Sequence, residues 1–305
     1  MMRNKIDSNK VIVHLGLSYL VLCTFCLGTS FGDWFSSTHD IGELVKHEVK
    51  YLSSLDKFTK LETKSTSQEI LTELQRLTSN IRKISKIAVA DLTKYLSNPI
   101  NLYKTIQRYS IQWREVGRLL ESFKHKQGFA VDFSKLTKKF PDHIDMTGAQ
   151  RSILRIQRAY RLHTNDLMKG MIKGVLDLGN EALESLKGED AFLIGQLAKT
   201  DLHYNQCVSW LDEALAQHRP ESNYSVEKVV DYLSFCEAKR GNLRRATQLL
   251  KQNTKVTTLS SGLALRDRLN KVRAQWLTSF LRVYGMKDWD NETEVYERHC
   301  RGQTI

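Results

Sequence analysis

The chain has 305 residues, 41% of them hydrophobic, so it can bury a sizeable core, and its length allows two or three domains. Only three prolines and 16 glycines occur, and the charged residues, 26% of the chain, include both signs. This composition argues against a turn-rich β sandwich and favours long helices. The net charge of +12 fits a basic surface or an acidic partner. We predict an all-α fold.

The first 32 residues have the pattern of a signal peptide. Three basic residues precede an apolar stretch, 11–28, and small residues then offer a cleavage site before Asp33. The stretch contains His14 and is shorter than the ~20 apolar residues that a membrane-spanning helix needs. Cleavage is therefore favoured over a membrane anchor, and the protein is expected in the endoplasmic reticulum lumen or outside the cell. A protein on this route rarely meets nucleic acid, so no nucleic-acid partner is expected.

Sequons and cysteines agree with this route. Asn223 and Asn291 begin N-glycosylation sequons in polar stretches. Removing the signal peptide leaves Cys207, Cys236 and Cys300, and this odd number leaves at least one thiol unpaired within the chain. Cys207 and Cys236 either form a disulfide or stay free, and we favour buried free thiols because these are common packing residues.

Two amphipathic helices are predicted at the start of the mature chain. The first runs from Asp33 to about Phe58, and the capping-box pattern Thr66-Ser67-Gln68-Glu69 predicts the start of the second. The second helix carries a seam with the 3.5-residue repeat of a coiled coil, formed by Ile70, Leu74, Leu77, Ile81, Ile84 and Ala88. A seam this short fits a dimer interface and an antiparallel helix pair within one chain equally well.

A third long helix is predicted to begin at Asn98-Pro99, where asparagine caps the helix and proline occupies its first turn. The stretch FPDHIDMTG, 140–148, is interpreted as a loop that ends the helical region 33–140, and a further helix is expected from Ala149. One face of the third helix is apolar and carries Ile106, Tyr109, Trp113, Val116, Leu120 and Phe123.

Helical repeats of the tetratricopeptide kind are predicted from Glu189 onward. The first carries Gly195, Tyr204, Cys207, Leu211 and Ala214, and the second carries Gly241, Leu243, Ala246 and Leu250. Tyr204 and Leu243 are 39 positions apart, and the inserted loop 219–224 explains the excess over the usual period of about 34. Small residues such as Gly195 let paired helices approach closely, while the concave face stays available for an extended peptide.

Four stretches together resemble the alpha subunits of collagen prolyl 4-hydroxylases. They are NPINLYKTIQRYSIQWREV, AQRSILRIQRAYRLHTNDLMKG, VVDYLSFCEAKRGNL and YERHCRG. The resemblance implies an N-terminal helical dimerisation domain over 33–140, a tetratricopeptide-like peptide-binding domain over 145–285 and a tail over 286–305.

In this family a dioxygenase domain that uses iron, 2-oxoglutarate and ascorbate follows. The chain ends before that domain, so we expect no cofactor in this chain, and Cys300 is expected to lack its family partner. The chain is interpreted either as a fragment or as a relative that lost its catalytic half. A homodimer and protein disulfide isomerase are the partners that the resemblance implies, beside a proline-rich or collagen-like peptide.

The resemblance places peptide-binding residues at Asp231, Tyr232 and Phe235. Proline-rich peptides adopt an extended helix that docks on aromatic grooves. Arg266 and Asn270 fit the family's Arg-x-x-x-Asn pattern in the last repeat helix if the preceding loop gained four residues. The alternative is that Tyr204 and Tyr232 are simply helix-packing residues.

Cations replace aromatic side chains in part of this groove. Phe235 and Lys199 stand where tyrosine is common in the family, so altered peptide preference is expected.

One His-x-Asp pair, His143 and Asp145, has the spacing of part of an iron site. Such sites lie on the strands of a β barrel, whereas this stretch lies between helices, so a solvated loop histidine is the better interpretation. We therefore expect no metal site, and no hydroxylase activity from the chain by itself. The function predicted is a dimerising, proline-rich-peptide-binding module; the alternative is the substrate-binding half of a procollagen-proline 4-dioxygenase.

Overall fold

A computed structural model describes residues 38–62, 68–121, 133, 137, 140–173, 181–256, 267, 270–274, 298 and 300–302. All of these residues belong to the unit 35–305. The predicted signal peptide, the first two residues of the predicted capping box, Arg266 and Asn291 lie outside the described residues.

The described part of the chain is helical, and the prediction of an all-α fold is confirmed. In chain order the helices are α1 Thr38–Glu62, α2 Gln68–Ala90, α3 Leu92–Ser97, α4 Pro99–Gln107, a π-helix Arg108–Trp113, α5 Arg114–Glu121, α6 His143–Ala159, α7 Thr164–Met168, α8 Gly188–Thr200, α9 Tyr204–Ala216, α10 Val226–Lys239 and α11 Leu243–Val256. Among these residues the only β pairing is an isolated antiparallel bridge between Met171 and Glu181.

The seam of α2 is buried within the chain. Leu74, Ile81 and Ile84 are at most 5% exposed, and they pack with α1 residues such as Val45 and Leu52. The two helices run antiparallel, and at their surface the Arg82 guanidinium donates to both carboxylate oxygens of Asp56 at 2.7 and 2.9 Å. Of the two interpretations of the seam, the structure therefore has the helix pair. A dimer interface at Leu74, Leu77, Ile81 and Ile84 would therefore have to use a stripe that the chain itself already covers for the most part.

The start of α4 confirms the predicted cap. The Asn98 side chain accepts a hydrogen bond from Ile100 N at 2.9 Å, and Pro99 occupies the first helical position, where its missing N–H leaves no hydrogen bond unmade. The π-helix then continues the axis into α5. The predicted apolar face is buried, with Tyr109, Trp113 and Val116 fully covered, and Phe123 lies outside the described residues.

Helix α6 begins six residues earlier than predicted, so the interpretation of 140–148 as a loop was wrong for 143–148. Asp142 caps the helix by accepting from Ile144 N and Asp145 N, and the Asp145 carboxylate accepts in return from Asp142 N. This reciprocal arrangement is a capping box made by two aspartates, which is a less common pair than serine and glutamate. Sequence reasoning overlooked it for that reason.

The repeat helices pack as two antiparallel pairs, α8 with α9 and α10 with α11. Gly195 permits the first pair to approach closely, since an added Cβ would lie 2.8 Å from side-chain atoms of Leu211. Cys207 of α9 and Cys236 of α10 form a disulfide. The prediction of two free thiols was therefore wrong: the successive helices α9 and α10 pack together, which brings two fully buried cysteines within bonding distance. Cys300 is a free cysteine.

A continuous core joins the N-terminal helices to the repeats. Helix α6 packs against both α4 and α8. A buried ion pair reinforces this junction: Lys104 Nζ lies 2.6 Å from the Asp190 carboxylate. The groove-bearing repeats are thus held on the helical region that precedes them.

Candidate functional site

A groove of about 370 Å³ lies on the repeat helices. Its lining residues come from α8, α10, α11 and the segment 270–274: Lys199, Asp231, Tyr232, Ser234, Phe235, Leu250, Lys271 and Val272. Three of the five predicted peptide-binding residues, Asp231, Tyr232 and Phe235, therefore meet in one concave surface. Asn270 is exposed and does not line the groove, and Arg266 lies outside the described residues.

Helix α10 places the two rings by its own periodicity. Ser225 caps the helix by accepting from Lys228 N, and Val229, Leu233 and Cys236 form its fully buried face. Tyr232 and Phe235, three positions apart, stand beside that face and are half-buried. The regular helical backbone of α10 is therefore sufficient to place both aromatic side chains in the groove, and no loop is involved in positioning them.

The rings also contact aromatic residues of other helices. Phe192 stacks on Tyr232 with centroids 6.1 Å apart, and Tyr204 meets Phe235 edge to face at the same distance. Tyr232 and Phe235 pack against the main hydrophobic core as well. Packing and groove lining are therefore two roles of the same side chains, and the interpretation of Tyr232 as a packing residue does not exclude the groove.

Lysines cover the faces of these rings. Lys199 Nζ lies 4.8 Å from the ring centroids of both Tyr232 and Phe235. Lys228 lies 5.9 Å from Tyr232, and Lys239 lies 5.7 Å from Phe235. All of these distances are within the range of a cation–π interaction.

Sequence reasoning named Lys199 but missed the lysines of α10 and Lys271. The sequence does contain a signal for the lysines of α10. The spacing of Lys228, Tyr232, Phe235 and Lys239 is i, i+4, i+7, i+11, which is that of one helical stripe. No local signal points to Lys271 or Val272, which only the tertiary fold brings to the groove.

The predicted glycosylation site at Asn223 lies in the turn between α9 and α10. Asn223 is exposed, Tyr224 is buried with its hydroxyl donating to the Ala214 carbonyl, and Ser225 is the exposed cap of α10. An exposed asparagine in a turn gives a glycan room. Glycosylation at Asn223 and Asn291 stays a prediction.

The His-x-Asp pair does not fit an iron site. His143 and Asp145 lie in the first turn of α6, and the Asp145 carboxylate is engaged with the backbone of Asp142. Across the described ranges, no cluster of three or more histidine, cysteine, aspartate or glutamate side chains is placed to hold a metal ion. In the same part of the chain, no helix combines the length and apolar character needed to span a bilayer.

Comparison with known families gives two matches along the chain. Residues 37–174 match the N-terminal region of the prolyl 4-hydroxylase alpha subunit, and residues 188–263 match the prolyl 4-hydroxylase peptide-substrate-binding domain. The groove residues of α8 and α10 fall within the second match.

Curated proteins show the same likeness. The chain is 30% identical to prolyl 4-hydroxylase subunit alpha-1 of Caenorhabditis elegans over 77% of its own length and 41% of the relative. It is 27% identical to the mouse subunit alpha-1 over 72% of its length and 39% of the relative, and 27% identical to the chicken subunit alpha-2 over 92% and 54%. The chain spans about half the length of the curated relatives that it matches.

Proposed function

Because the chain belongs to the prolyl 4-hydroxylase alpha-subunit family, we propose that it is a peptide-binding protein whose groove on α8 and α10 takes proline-rich or collagen-like peptide. One observation carries this proposal: Tyr232 and Phe235 line a concave surface inside the region that matches the family's peptide-substrate-binding domain. Peptide binding in this groove does not require the enzymatic activity of the full-length relatives.

Stacking provides the binding energy in this proposal. A proline-rich peptide already occupies its extended helical conformation in solution, so little conformational entropy is lost on binding. Its pyrrolidine rings present flat apolar faces that fit between half-buried aromatic side chains. Asp231, next to Tyr232 in the same groove, supplies an acceptor for a peptide N–H.

Dimerisation, location and domain division belong to the same proposal. Residues 1–32 act as a signal peptide, 33–140 form the dimerising region, 145–285 form the peptide-binding domain, and the mature protein resides in the endoplasmic reticulum lumen or is secreted. The Cys207–Cys236 disulfide supports an oxidising compartment. Protein disulfide isomerase is the proposed second partner, on the basis of the family alone.

A second candidate function is the substrate-binding half of a procollagen-proline 4-dioxygenase. The observation that favours it is the share of the relatives, about half, that the chain spans. Under this proposal iron and 2-oxoglutarate bind to a domain outside these residues, since His143 and Asp145 do not form a metal site. The length of the native transcript distinguishes the two candidates.

Titration of the full chain with a poly-proline peptide tests the proposed function. We expect Phe235→Ala to weaken binding about fivefold to tenfold, because one stacking surface worth about 1 kcal/mol is removed. Tyr160→Ala is a matched control, since Tyr160 is half-buried at the end of α6 and outside the groove. Absence of binding, or equal affinity of wild type and Phe235→Ala, would show that the rings serve packing only.

A further inference from the structure

The ammonium group of Lys199 occupies the surface that a proline ring would use. Its Nζ is equidistant, at 4.8 Å, from the centroids of Tyr232 and Phe235, and it approaches from α8, the helix opposite α10. Among the described residues no carboxylate lies within ion-pair distance of Lys199 Nζ. The cation is therefore held by two ring faces in a half-buried position, and the described part of the chain gives it no anionic partner.

The described part of the groove is cationic. The residues described along its lining include two lysines, Lys199 and Lys271, and one acid, Asp231. Lys228 and Lys239 add two further ammonium groups above the same rings. A concave site with an excess of positive charge attracts negatively charged ligands, so the charge of this groove complements an acidic ligand.

We propose that this groove prefers peptides in which a carboxylate lies next to a proline, with the carboxylate pairing to Lys199 and the proline ring packing on Phe235 or Tyr232. The inference rests on the proposed function and specifies its ligand class. A neutral proline-rich peptide must displace the ammonium group from the rings and leaves it without a partner. A peptide carrying glutamate beside proline displaces it in the same way but restores a charge-assisted hydrogen bond.

Paired peptides that differ in one charge test this preference. The probes are two short proline-rich peptides of identical length, one with a central Glu and one with a central Gln, titrated calorimetrically into the full chain. We expect the Glu peptide to bind about fivefold more tightly at low salt, which corresponds to about 1 kcal/mol for a partly exposed ion pair. In 1 M salt the difference should fall below about twofold, because the screening length shortens to roughly 3 Å.

Variants of Lys199 assign the preference to this side chain. Lys199→Gln should abolish the difference between the two peptides, and Lys199→Arg should retain it. Lys83→Gln is the matched control for the same loss of charge, since Lys83 is exposed on α2. It should leave the ratio of the two affinities unchanged. Thermal unfolding of each variant checks that the fold is retained.

The outcomes separate the inference from the proposed function. Equal affinity of wild type for the Glu and Gln peptides overturns the inference but leaves a proline-rich binder. A Lys199→Gln variant that keeps the full preference also overturns it, because another cation is then responsible. Failure of both peptides to bind overturns the proposed function together with the inference.

Discussion

Asp190 is the residue on which the junction between the N-terminal helices and the repeats depends. Its carboxylate accepts from the Tyr103 hydroxyl, Lys104 Nζ, Gln107 Nε2 and the backbone N–H of Lys187, at 2.6 to 2.9 Å. Burial, reinforced by this carboxylate, raises the pKa of the Tyr103 hydroxyl well above its usual range, so tyrosine stays a donor. The carboxylate thus accepts four hydrogen bonds while its residue is only 1% exposed, so its charge is compensated within the protein.

Removing the acid should therefore destabilise the protein strongly. We expect Asp190→Ala to lower the free energy of unfolding by about 3–5 kcal/mol, because Lys104 would remain as a buried charge without its partner. Guanidinium unfolding measures the effect. The double variant Asp190→Ala/Lys104→Met should recover part of the loss; a loss below about 1 kcal/mol in the single variant would contradict the role given to this cluster.

A second ion pair, at the surface, predicts a pH dependence. The Arg151 guanidinium donates to Asp201 at 2.8 and 3.0 Å, and this hydrogen bond holds the pKa of the Asp201 carboxyl below its ordinary value of 3.8. A carboxyl with a lowered pKa stabilises the fold at pH values above 3.8, and that contribution is lost as the pH falls through the folded-state pKa below 3.8.

Asp201→Asn should accordingly cost up to about 1 kcal/mol of stability at neutral pH, since the pair is partly exposed. The difference from wild type should disappear at pH values well below 3.8, where both forms are uncharged. Urea unfolding across pH measures it. Glu213→Gln, which removes a carboxylate outside any ion pair of the described residues, should show no such trend; a difference for Asp201→Asn that persists at low pH would contradict the assignment.

At the scale of elements, the repeats depend on close approach of α8 and α9. An added Cβ at Gly195 would lie 2.8 Å from Cγ and Cδ2 of Leu211 and 3.3 Å from its backbone nitrogen. The atoms that the added Cβ would meet include the backbone nitrogen of Leu211, which can move only if helix α9 moves. The spacing of this pair therefore leaves no room for a side chain at position 195.

Gly195→Ala should lower stability by about 1–3 kcal/mol through overpacking, although alanine favours helix by about 1 kcal/mol. Gly42→Ala is the matched control, because its added methyl would meet only side-chain ends, with Leu96 Cδ1 at 3.2 Å. We expect that control to be neutral or slightly stabilising. Thermal unfolding midpoints compare the two; a stabilised Gly195→Ala variant would show that the helices separate without cost.

At the scale of the whole molecule, we expect the proposed dimer to use a surface other than the α2 seam. Leu74 is 1% exposed in the single chain, so its side chain contributes to folding rather than to association. Among the described residues, large hydrophobic side chains that stay exposed on the N-terminal helices include Val49, Ile87 and Ile111. A substitution in the seam is therefore expected to affect folding rather than association.

Sedimentation of the full chain over a range of concentrations measures the association directly. We expect a dimer at tens of micromolar, and we expect Leu74→Ala to lower folding stability by about 2–5 kcal/mol while leaving the dissociation constant of the folded dimer unchanged. A single monomer mass at these concentrations would remove the dimer proposal. A changed dissociation constant in Leu74→Ala would show that the seam contributes to the dimer interface.

The sequence by itself determined the features that depend on neighbours along the chain. The Asn98-Pro99 cap, the helix periods and the common face of Tyr232 and Phe235 all follow from interactions within a few residues, so the sequence contains them locally. The aspartate capping box at Asp142 is equally local and was missed only because its residue pair is uncommon.

Only the tertiary structure decided which surfaces and side chains meet across the chain. The sequence of the apolar stripe on α2 is compatible with burial by α1 and with burial by a second chain. The hydrophobic effect is not directional, so it does not specify which surface covers the stripe. The Cys207–Cys236 disulfide, the ion pair of Lys104 with Asp190 and the position of Lys199 over the rings join different helices. Their formation depends on distances of a few ångströms that helix packing sets, and sequence spacing does not encode those distances.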